Sequence, residues 1–299
     1  MQEKLEYIID TITKRNVLHG KKLKNLLTQV DINYRKRAEL FFERYERFLI
    51  KNQKTLDFAI DCYLQMLADV SYETIQFVKT GQYSNSSFED VNERVYNNPE
   101  LMTGYLHGLI LRQFLFPQNY KILMFFNSII KKNENNITDY LEIGGGHGLF
   151  LSEALSILNS DVNYTLIDIS KSALDFSRAF IDSPKVTYIA SDVFKYKSRV
   201  RYDFITMGEV LEHVENPVEL LKAVKQLLKK EGKLFITTVT NAPAIDHVYL
   251  FRNAREIREV IVKAGFSIKD ELDVWSEDMP PEKAEKMNIS MMYAALLTI

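Results

Sequence analysis

Residues 142–148 (EIGGGHG) constrain the fold more than any other segment, because four glycines fall within five positions. The segment follows an apolar run, DYLEI, and precedes a helix-like pattern, which places it at the carboxyl end of a predicted strand. Glycines let the backbone turn sharply and approach a ligand closely. Because ligands bind at the carboxyl ends of strands in open α/β sheets, the segment predicts a ligand-binding loop. A tight strand-to-helix turn without a ligand is the alternative interpretation.

Short apolar runs alternate with helix-like segments in the second half of the chain. The predicted strands are DYLEIG, YTLID, VTYIAS, YDFITMG and KLFITTV, and the predicted helices span 148–159, 170–182, 216–230 and 253–264. This alternation predicts an α/β fold with a doubly wound, mainly parallel sheet. The last two apolar runs, FSIKDELDVW and SMMYAALLTI, predict an antiparallel hairpin at the edge of the sheet.

The first 130 or so residues show helical periodicity and predict an all-α N-terminal domain. Asp31, Ser87 and Pro99 occupy positions typical of helix starts. The polar run KKNENN at 131–136 marks the change of period. We therefore expect a helical domain over 1–131 and a second domain with the glycine-rich loop over 132–299.

Two aspartates lie at the ends of the second and third predicted strands. Asp168 follows Gly148 by twenty residues, and Asp192 lies in the run ASDVF. A carboxylate at the first position can accept hydrogen bonds from both ribose hydroxyls. One at the second can accept from an adenine amino group, with Val193 donating its backbone N–H. Capping of the next segment is the alternative role of each aspartate, but their joint occurrence favours nucleoside binding.

These motifs together resemble the class I S-adenosylmethionine-dependent methyltransferase family. EIGGGHG matches the first motif of that family, Asp168 its ribose-binding acid, and SDV at 191–193 its adenine-binding motif. GEVLEHV at 208–214 matches the segment after the fourth strand in many small-molecule methyltransferases, and EGKL at 231–234 matches the turn into the fifth strand. The resemblance covers about residues 137 to 299. A nicotinamide-binding domain is the competing interpretation, but it requires G-x-G-x-x-G, and the third glycine falls one position early here.

The resemblance implies a Rossmann-like fold and S-adenosylmethionine as cofactor. It implies that the helical domain over 1–131 is a cap or substrate domain and that 132–299 is the catalytic domain. It also implies that the cofactor-binding residues are Glu142, Gly144, Gly146, Gly148, Asp168, Ile169, Asp192, Val193 and Glu209.

His213 is the first candidate for a catalytic base. It follows Glu209 by four residues, so the two side chains could share a helical face at the end of the fourth strand. A structural role for His213, and solvated positions for Glu209 and Glu212, are the alternatives. Asp246 and His247 form a second acid/base pair, because in the family the segment after the fifth strand faces the acceptor. A turn cap and a surface histidine are their alternative roles.

The candidate substrate-binding residues come from two segments. In similar methyltransferases a helical N-terminal cap closes over the active site, which favours Tyr96, Tyr105 and His107 as wall residues. Asn241 and Tyr249 lie in the segment after the fifth strand. Packing in an ordinary core is the alternative role of these aromatic side chains.

Charge and composition exclude several classes of protein. The net charge of −2, from 38 basic and 40 acidic residues, gives no global positive field for nucleic acid. The single cysteine, Cys62, allows no intramolecular disulfide, and no histidine–carboxylate spacing typical of a metal site occurs, so we expect no metal. The chain has no secretory signal and no membrane-spanning run, so we expect a cytoplasmic protein. A homodimer through the helical domain is a further expectation.

The predicted function is transfer of a methyl group from S-adenosylmethionine to an oxygen or nitrogen of a small molecule in a biosynthetic pathway. A first alternative is a cyclase in which the amino group of the cofactor attacks its own aminobutyl carbon, releasing methylthioadenosine and a cyclic amino acid. A second is a non-catalytic, methyltransferase-like interaction protein.

Overall fold

A seven-stranded mixed sheet forms the centre of the C-terminal half in the computed structural model, which describes residues 3–299. The strands are β1 (Asp139–Ile143), β2 (Asn163–Asp168), β3 (Val186–Ala190), β4 (Tyr202–Gly208), β5 (Leu228–Thr240), β6 (Ser267–Trp275) and β7 (Met291–Thr298). Their order is β3-β2-β1-β4-β5-β7-β6. The first five are parallel, and β7 pairs antiparallel with both β5 and β6. This arrangement confirms the predicted fold class.

Seven helices precede the sheet, and five more lie between or beside its strands in the described part of the chain. The first group is α1 (Lys4–Arg15), α2 (Val17–Leu26), α3 (Ile32–Lys51), α4 (Leu56–Thr80), α5 (Phe88–Val91), α6 (Pro99–Leu115) and α7 (Pro117–Asn133). The second group is α8 (Leu149–Ile157), α9 (Lys171–Ile181), α10 (Pro217–Lys225), α11 (Ala254–Lys263) and α12 (Pro281–Lys286). A single π-helical turn, Asn92–Tyr96, joins α5 to the segment before α6.

Three helices begin at the residues that the sequence predicts as helix starts. The side chains of Asp31 and Ser87 accept the backbone N–H groups of Tyr34 and Asp90 at 2.7 and 3.3 Å, as N-caps do. Pro99 occupies the first turn of α6. The predicted helix over 216–230 is wrong at its end, because Leu228 already pairs with Tyr202 in the sheet.

The hydrophobic core is continuous between the helical part and the sheet layer. Phe176 and Phe180 of α9 pack in the same cluster as Phe48 of α3 and Phe114 of α6. The sequence-based boundary at residue 131 falls inside the last turn of α7. The shared core fixes the helices over the carboxyl ends of the strands, where the candidate site lies.

None of the helices within residues 3–299 is long and apolar enough to cross a membrane.

Candidate functional site

The glycine loop turns from β1 into α8 through three left-handed backbone positions. Gly144, Gly146 and Gly148 have φ of 63°, 49° and 71°, values that glycine adopts without strain. At Gly145 the limit is space, since a Cβ there would lie 2.6 Å from the side chain of Leu166 on β2. The loop therefore needs glycine for its conformation and for its approach to the neighbouring strand.

Asp168 ends β2 directly beside this loop. Its Oδ2 accepts the N–H of Gly146 at 3.0 Å, and its Oδ1 accepts the N–H of Ser170 at 2.8 Å. Burial raises the pKa of Asp168, and the two N–H donors partly offset the shift. An ionised carboxylate has about four acceptor positions, so two remain for a ligand.

Two other acidic residues lie near the loop. Glu142 on β1 is 2% exposed, its Oε2 has no hydrogen-bond partner among the described residues, and burial raises its pKa to about 8. Asp192 follows β3 and uses Oδ1 to accept the N–H of Phe194 at 2.9 Å. Both residues face the same cavity as Asp168.

This cavity has a volume of about 1110 Å³ and extends from the glycine loop into the helical part. Its polar end contains Glu142, Gly144, Gly146, Asp168, Ile169, Asp192, Val193, Glu209, His213, Asn241, Asp246 and His247. The rest is lined by helices α4 and α6, by Phe116 after α6 and by the segment before β7. Its apolar members are Met66, Leu67, Val70, Phe77, Leu109, Phe116, Met287 and Ile289, and its polar members include Arg112, Gln113, Gln118 and Asn119. The site thus has a charged region at the sheet and a mainly apolar region under the helices.

The segment between α4 and α6 holds the loop after β5 in place. Asn85 and Arg94 donate to the backbone carbonyl of Ile245 at 3.1 and 2.8 Å. The hydroxyl of Tyr83 accepts the N–H of Ala242 at 3.1 Å. These contacts tie the helical part to the loop that carries Asp246 and His247.

Tyr96, His213 and Asp246 form a hydrogen-bonded cluster in the cavity wall. The Tyr96 hydroxyl lies 2.9 Å from His213 Nδ1 and 3.4 Å from Asp246 Oδ2. His213 Nδ1 is also 2.9 Å from the backbone carbonyl of Asp246 and 3.6 Å from its Oδ2. Burial alone would lower the pKa of His213, but the carboxylates of Asp246 and Glu212 outweigh it, so the pKa is raised.

His247 and Glu212 extend this cluster. The ring of His247 stands perpendicular to that of His213, with centroids 4.9 Å apart, and its Nδ1 lies 2.6 Å from the carbonyl of Ala242. Burial lowers the pKa of His247 to about 4. Glu212 is fully buried, and its side chain accepts a hydrogen bond from the hydroxyl of Thr238 at 2.8 Å. Its pKa is raised, mainly by burial and secondly by repulsion from the charge of Glu209.

Three predicted site residues, Gly148, His107 and Tyr249, do not line the cavity. Gly148 turns the backbone into α8, with its position behind the loop set by Ser177 and Ile181. His107 is 1% exposed and hydrogen-bonds the hydroxyl of Tyr45 at 2.6 Å inside the helical core, so its role as a wall residue is corrected. Tyr249 packs against Phe251 at 4.7 Å instead. Tyr105 does line the cavity. Asn241 also lines it, although its side-chain amide donates to the carbonyl of Arg252 at 2.9 Å.

The interpretation of the segment after β4 also changes. Glu209 has a φ of 55° and precedes the short 3₁₀ turn Leu211–His213, so Glu209 and His213 do not share a helical face. Their side chains nevertheless meet at the cavity because the chain turns sharply there. The solvated position considered for Glu212 is wrong, since this residue is buried.

Sequence reasoning missed two site features. Arg112 projects from α6 into the cavity, where its charge lowers the pKa of Glu209 against the larger effect of burial. The available signal was one arginine within the apolar run GLILRQFLF. The second feature is the approach of Glu212, His213 and His247, whose ligand-type atoms all lie within 4.8 Å of one another. Linear spacing could not show it, because His247 comes from a different loop.

The fold and this site define an α/β protein of the Rossmann-like, nucleoside-binding class. The family model described as "Methyltransferase domain" matches residues 110–271, more than half of the chain. The chain therefore belongs to the methyltransferase domain family, within the class I S-adenosylmethionine-dependent methyltransferases, and its cofactor is S-adenosylmethionine.

Curated relatives include ubiquinone biosynthesis O-methyltransferases. That of Coxiella burnetii (strain Dugway 5J108-111) is 32% identical over 145 residues, covering 46% of this chain and 60% of the relative. That of Rickettsia bellii (strain OSU 85-389) is 32% identical over 114 residues, covering 37% and 46%. The chain thus spans 60% or less of the length of these two relatives.

Two solved structures share the fold. The mitomycin 7-O-methyltransferase MmcR superposes with a TM-score of 0.54 at 12% identity, covering 77% of this chain and 68% of that one. The N-methyltransferase NodS from Bradyrhizobium japonicum WM9, in complex with S-adenosyl-L-homocysteine, gives a TM-score of 0.50 at 13% identity, covering 71% and 98%. At such identities the likeness supports the fold alone.

Proposed function

We propose that this chain transfers the methyl group of S-adenosylmethionine to a hydroxyl oxygen of a small molecule with an apolar body. One observation carries the proposal. A single cavity joins the glycine loop and its acidic residues to an acid/base cluster, and then continues into an apolar region under the helices. Cofactor, reacting hydroxyl and apolar body can therefore occupy consecutive parts of one site.

The polar end of the cavity fits the cofactor. We assign the ribose hydroxyls to Asp168, which keeps free acceptor positions, and the adenine to Asp192 and Val193. The unpartnered Oε2 of Glu142 suits the ammonium group of the cofactor. The remaining proposed cofactor-binding residues are Gly144, Gly146, Ile169 and Glu209, and Gly148 supports them by turning the loop into α8. An electron-rich wall of this kind favours a cationic ligand.

The apolar end suits the acceptor. Under the two-part division proposed from sequence, residues 1–131 supply most of its wall, including Tyr96 and Tyr105. A cavity of about 1110 Å³ exceeds the roughly 300–1,000 Å³ of most single-ligand sites, so it has room for two ligands. This volume supports methyl transfer over cyclisation of the cofactor, which needs no second ligand. The names of the curated relatives support oxygen as the accepting atom.

The chemistry requires loss of one proton from the acceptor. When bound, S-adenosylmethionine supplies an electrophilic methyl group: the acceptor oxygen forms a new O–C bond as the C–S bond breaks, and that electron pair stays on sulfur in S-adenosylhomocysteine. The His213–Asp246 pair would receive the hydroxyl proton, and His247 completes the polar wall. The helices exclude water from the reacting groups.

The test uses purified protein, S-adenosylmethionine and a panel of phenols and catechols with alkyl chains of increasing length. We expect S-adenosylhomocysteine and an O-methylated product by mass spectrometry, with kcat/KM rising with chain length. Asp246→Asn should lower kcat by at least about 100-fold, whereas Asp161→Asn, at an exposed position, should not. Methylthioadenosine released without an acceptor, or no transfer to any hydroxyl, would contradict the proposal.

A further inference from the structure

Three side chains with metal-ligating atoms converge at the wall of the cavity. One such atom from each of Glu212, His213 and His247 lies within 4.8 Å of the others. The two histidines come from different segments, one after β4 and one after β5, and their rings meet edge to face. A cation bound with ligand distances of about 2.1 Å would require these atoms to close to roughly 3–3.5 Å.

Both imidazoles have the protonation pattern of metal ligands. His213 Nδ1 lies 2.9 Å from the carbonyl of Asp246, and His247 Nδ1 lies 2.6 Å from the carbonyl of Ala242. A carbonyl oxygen only accepts, so each neutral ring carries its proton on Nδ1 and keeps its lone pair on Nε2. Histidine ligands in metal sites are commonly fixed by this kind of second hydrogen bond.

Each carboxylate of the cluster has one buried oxygen without a hydrogen-bond partner among the described residues. Glu212 is 0% exposed; one oxygen accepts from Thr238, and the other, Oε1, has no partner among the described residues. Oε1 of Glu209 and Oδ1 of Asp246 are likewise buried and unpartnered. Unpartnered buried carboxylate oxygens are unfavourable unless a proton or a cation compensates them. Among residues 3–131, Arg112 is the arginine that lines the cavity and faces them.

We propose that Glu212, His213 and His247 bind a divalent first-row transition-metal ion, with Glu209 or Asp246 available as a further oxygen ligand. Two imidazoles and a carboxylate suit Zn²⁺, Mn²⁺ or Fe²⁺. Mg²⁺ and Ca²⁺ prefer oxygen ligands, so they should bind more weakly. The ion would lie between the buried Glu212 and the cavity, open on its cavity side.

The role of this ion rests on the proposed function and refines it. A hydroxyl bound to a divalent cation has a lowered pKa, so it loses its proton more easily near neutral pH. In that state His213 and His247 would act as ligands, and the proton of the acceptor hydroxyl would pass to water at the mouth of the cavity. The same ion would orient an acceptor with two adjacent hydroxyls.

The test measures metal binding directly. Metal-free protein, prepared by chelation and dialysis, is titrated with Zn²⁺, Mn²⁺ or Mg²⁺ by calorimetry, and bound Mn²⁺ is followed by electron paramagnetic resonance. We expect one Zn²⁺ or Mn²⁺ per chain and Mg²⁺ weaker by at least about tenfold. Glu212→Gln and His247→Ala should each raise the Kd at least about tenfold. The matched control Glu219→Gln removes an exposed carboxylate that pairs only with Lys222 and should leave the Kd unchanged.

Thermal unfolding separates lost ligation from lost folding. Glu212→Gln replaces a buried carboxylate by a neutral group of the same shape, so the metal-free variant should unfold at the same or a higher Tm than metal-free wild type. Added Zn²⁺ should raise the Tm of the wild type and not that of the variant.

The outcomes distinguish this proposal from the function on which it rests. No binding of Zn²⁺ or Mn²⁺ in the micromolar range, or binding that both variants retain, would overturn the metal site. Full methyl transfer by the metal-free protein would overturn the role of the ion and leave the proposed function intact. Metal binding that depends on Glu212 and His247, without transfer to any hydroxyl, would support the site and contradict the function.

Discussion

Replacing Asp168 by asparagine tests the cofactor site most sharply. The two carboxylate oxygens accept N–H groups of Gly146 and Ser170 at 3.0 and 2.8 Å, and the remaining acceptor positions face the cavity. Asparagine keeps one acceptor oxygen and places an NH₂ group where the other was. The variant therefore loses the charge and at least one hydrogen bond to the ribose, while one backbone N–H faces another donor.

The size of the effect follows from these contacts. A hydrogen bond to a charged group contributes about 1.5–3 kcal/mol, so we expect a loss of about 2–3 kcal/mol in binding. This corresponds to a rise of about 30- to 150-fold in the Kd for S-adenosylmethionine.

Isothermal titration calorimetry measures this change, with circular dichroism to confirm that the variant is folded. Asp175→Asn on α9 is the matched control, because Asp175 is exposed and pairs only with Arg178; its Kd should equal that of the wild type. A folded Asp168→Asn variant that binds within about threefold of the wild type would refute the assignment of the ribose to this carboxylate.

Two further predictions concern stability. His107 is buried against Tyr45, and burial lowers its pKa to about 4, below the unfolded value of 6.5. The unfolded chain therefore takes up a proton at this residue more readily than the folded one. The free energy of unfolding should fall as the pH drops below 6.5, by up to about 2 kcal/mol from this residue at pH 5. Urea unfolding at pH 7 and pH 5 measures this loss, which should be smaller in His107→Gln. Gly145→Ala should destabilise by about 1–3 kcal/mol because its Cβ meets Leu166, and Leu166→Ala should recover part of the loss. Gly104→Ala, whose Cβ would lie 3.9 Å from its nearest neighbour, should instead stabilise α6; equal effects of the two glycine substitutions would contradict the steric argument.

The cofactor region could be predicted from sequence because its information is local. The glycines of 142–148 and Asp168 lie where a strand gives way to a helix, and each position is recognisable from neighbouring residues. Parallel strands then place their carboxyl ends at one edge of the sheet, so the fold brings these residues together.

The acid/base cluster could be predicted only in part. His213 and Asp246 were recognisable as candidates, but their contact through Tyr96 depends on how α5 and the π-helical turn pack over the loop after β5. Glu212 resembles a surface residue in sequence, and only the sharp turn at Glu209 directs it inward.

Two sequence-based predictions are wrong because tertiary contacts override the local pattern. His107 lies two residues from both Tyr105 and Leu109 on α6, so it faces away from the cavity and toward Tyr45 of α3. The predicted helix over 216–230 is too long because KQLLKK has high helix propensity, which the pairing of Leu228 with β4 overrides. The homodimer and the cytoplasmic location stay predictions.

The central claim is that the methyl group leaves S-adenosylmethionine for an acceptor hydroxyl in this cavity. The most direct measurement supplies S-adenosylmethionine labelled with ¹³C in its methyl group, together with an alkyl catechol, and follows the label by NMR. The account predicts that the signal moves from the sulfonium to an O–CH₃ group, with one S-adenosylhomocysteine formed per product. Label that stays on sulfur, in intact cofactor or in methylthioadenosine, would contradict it.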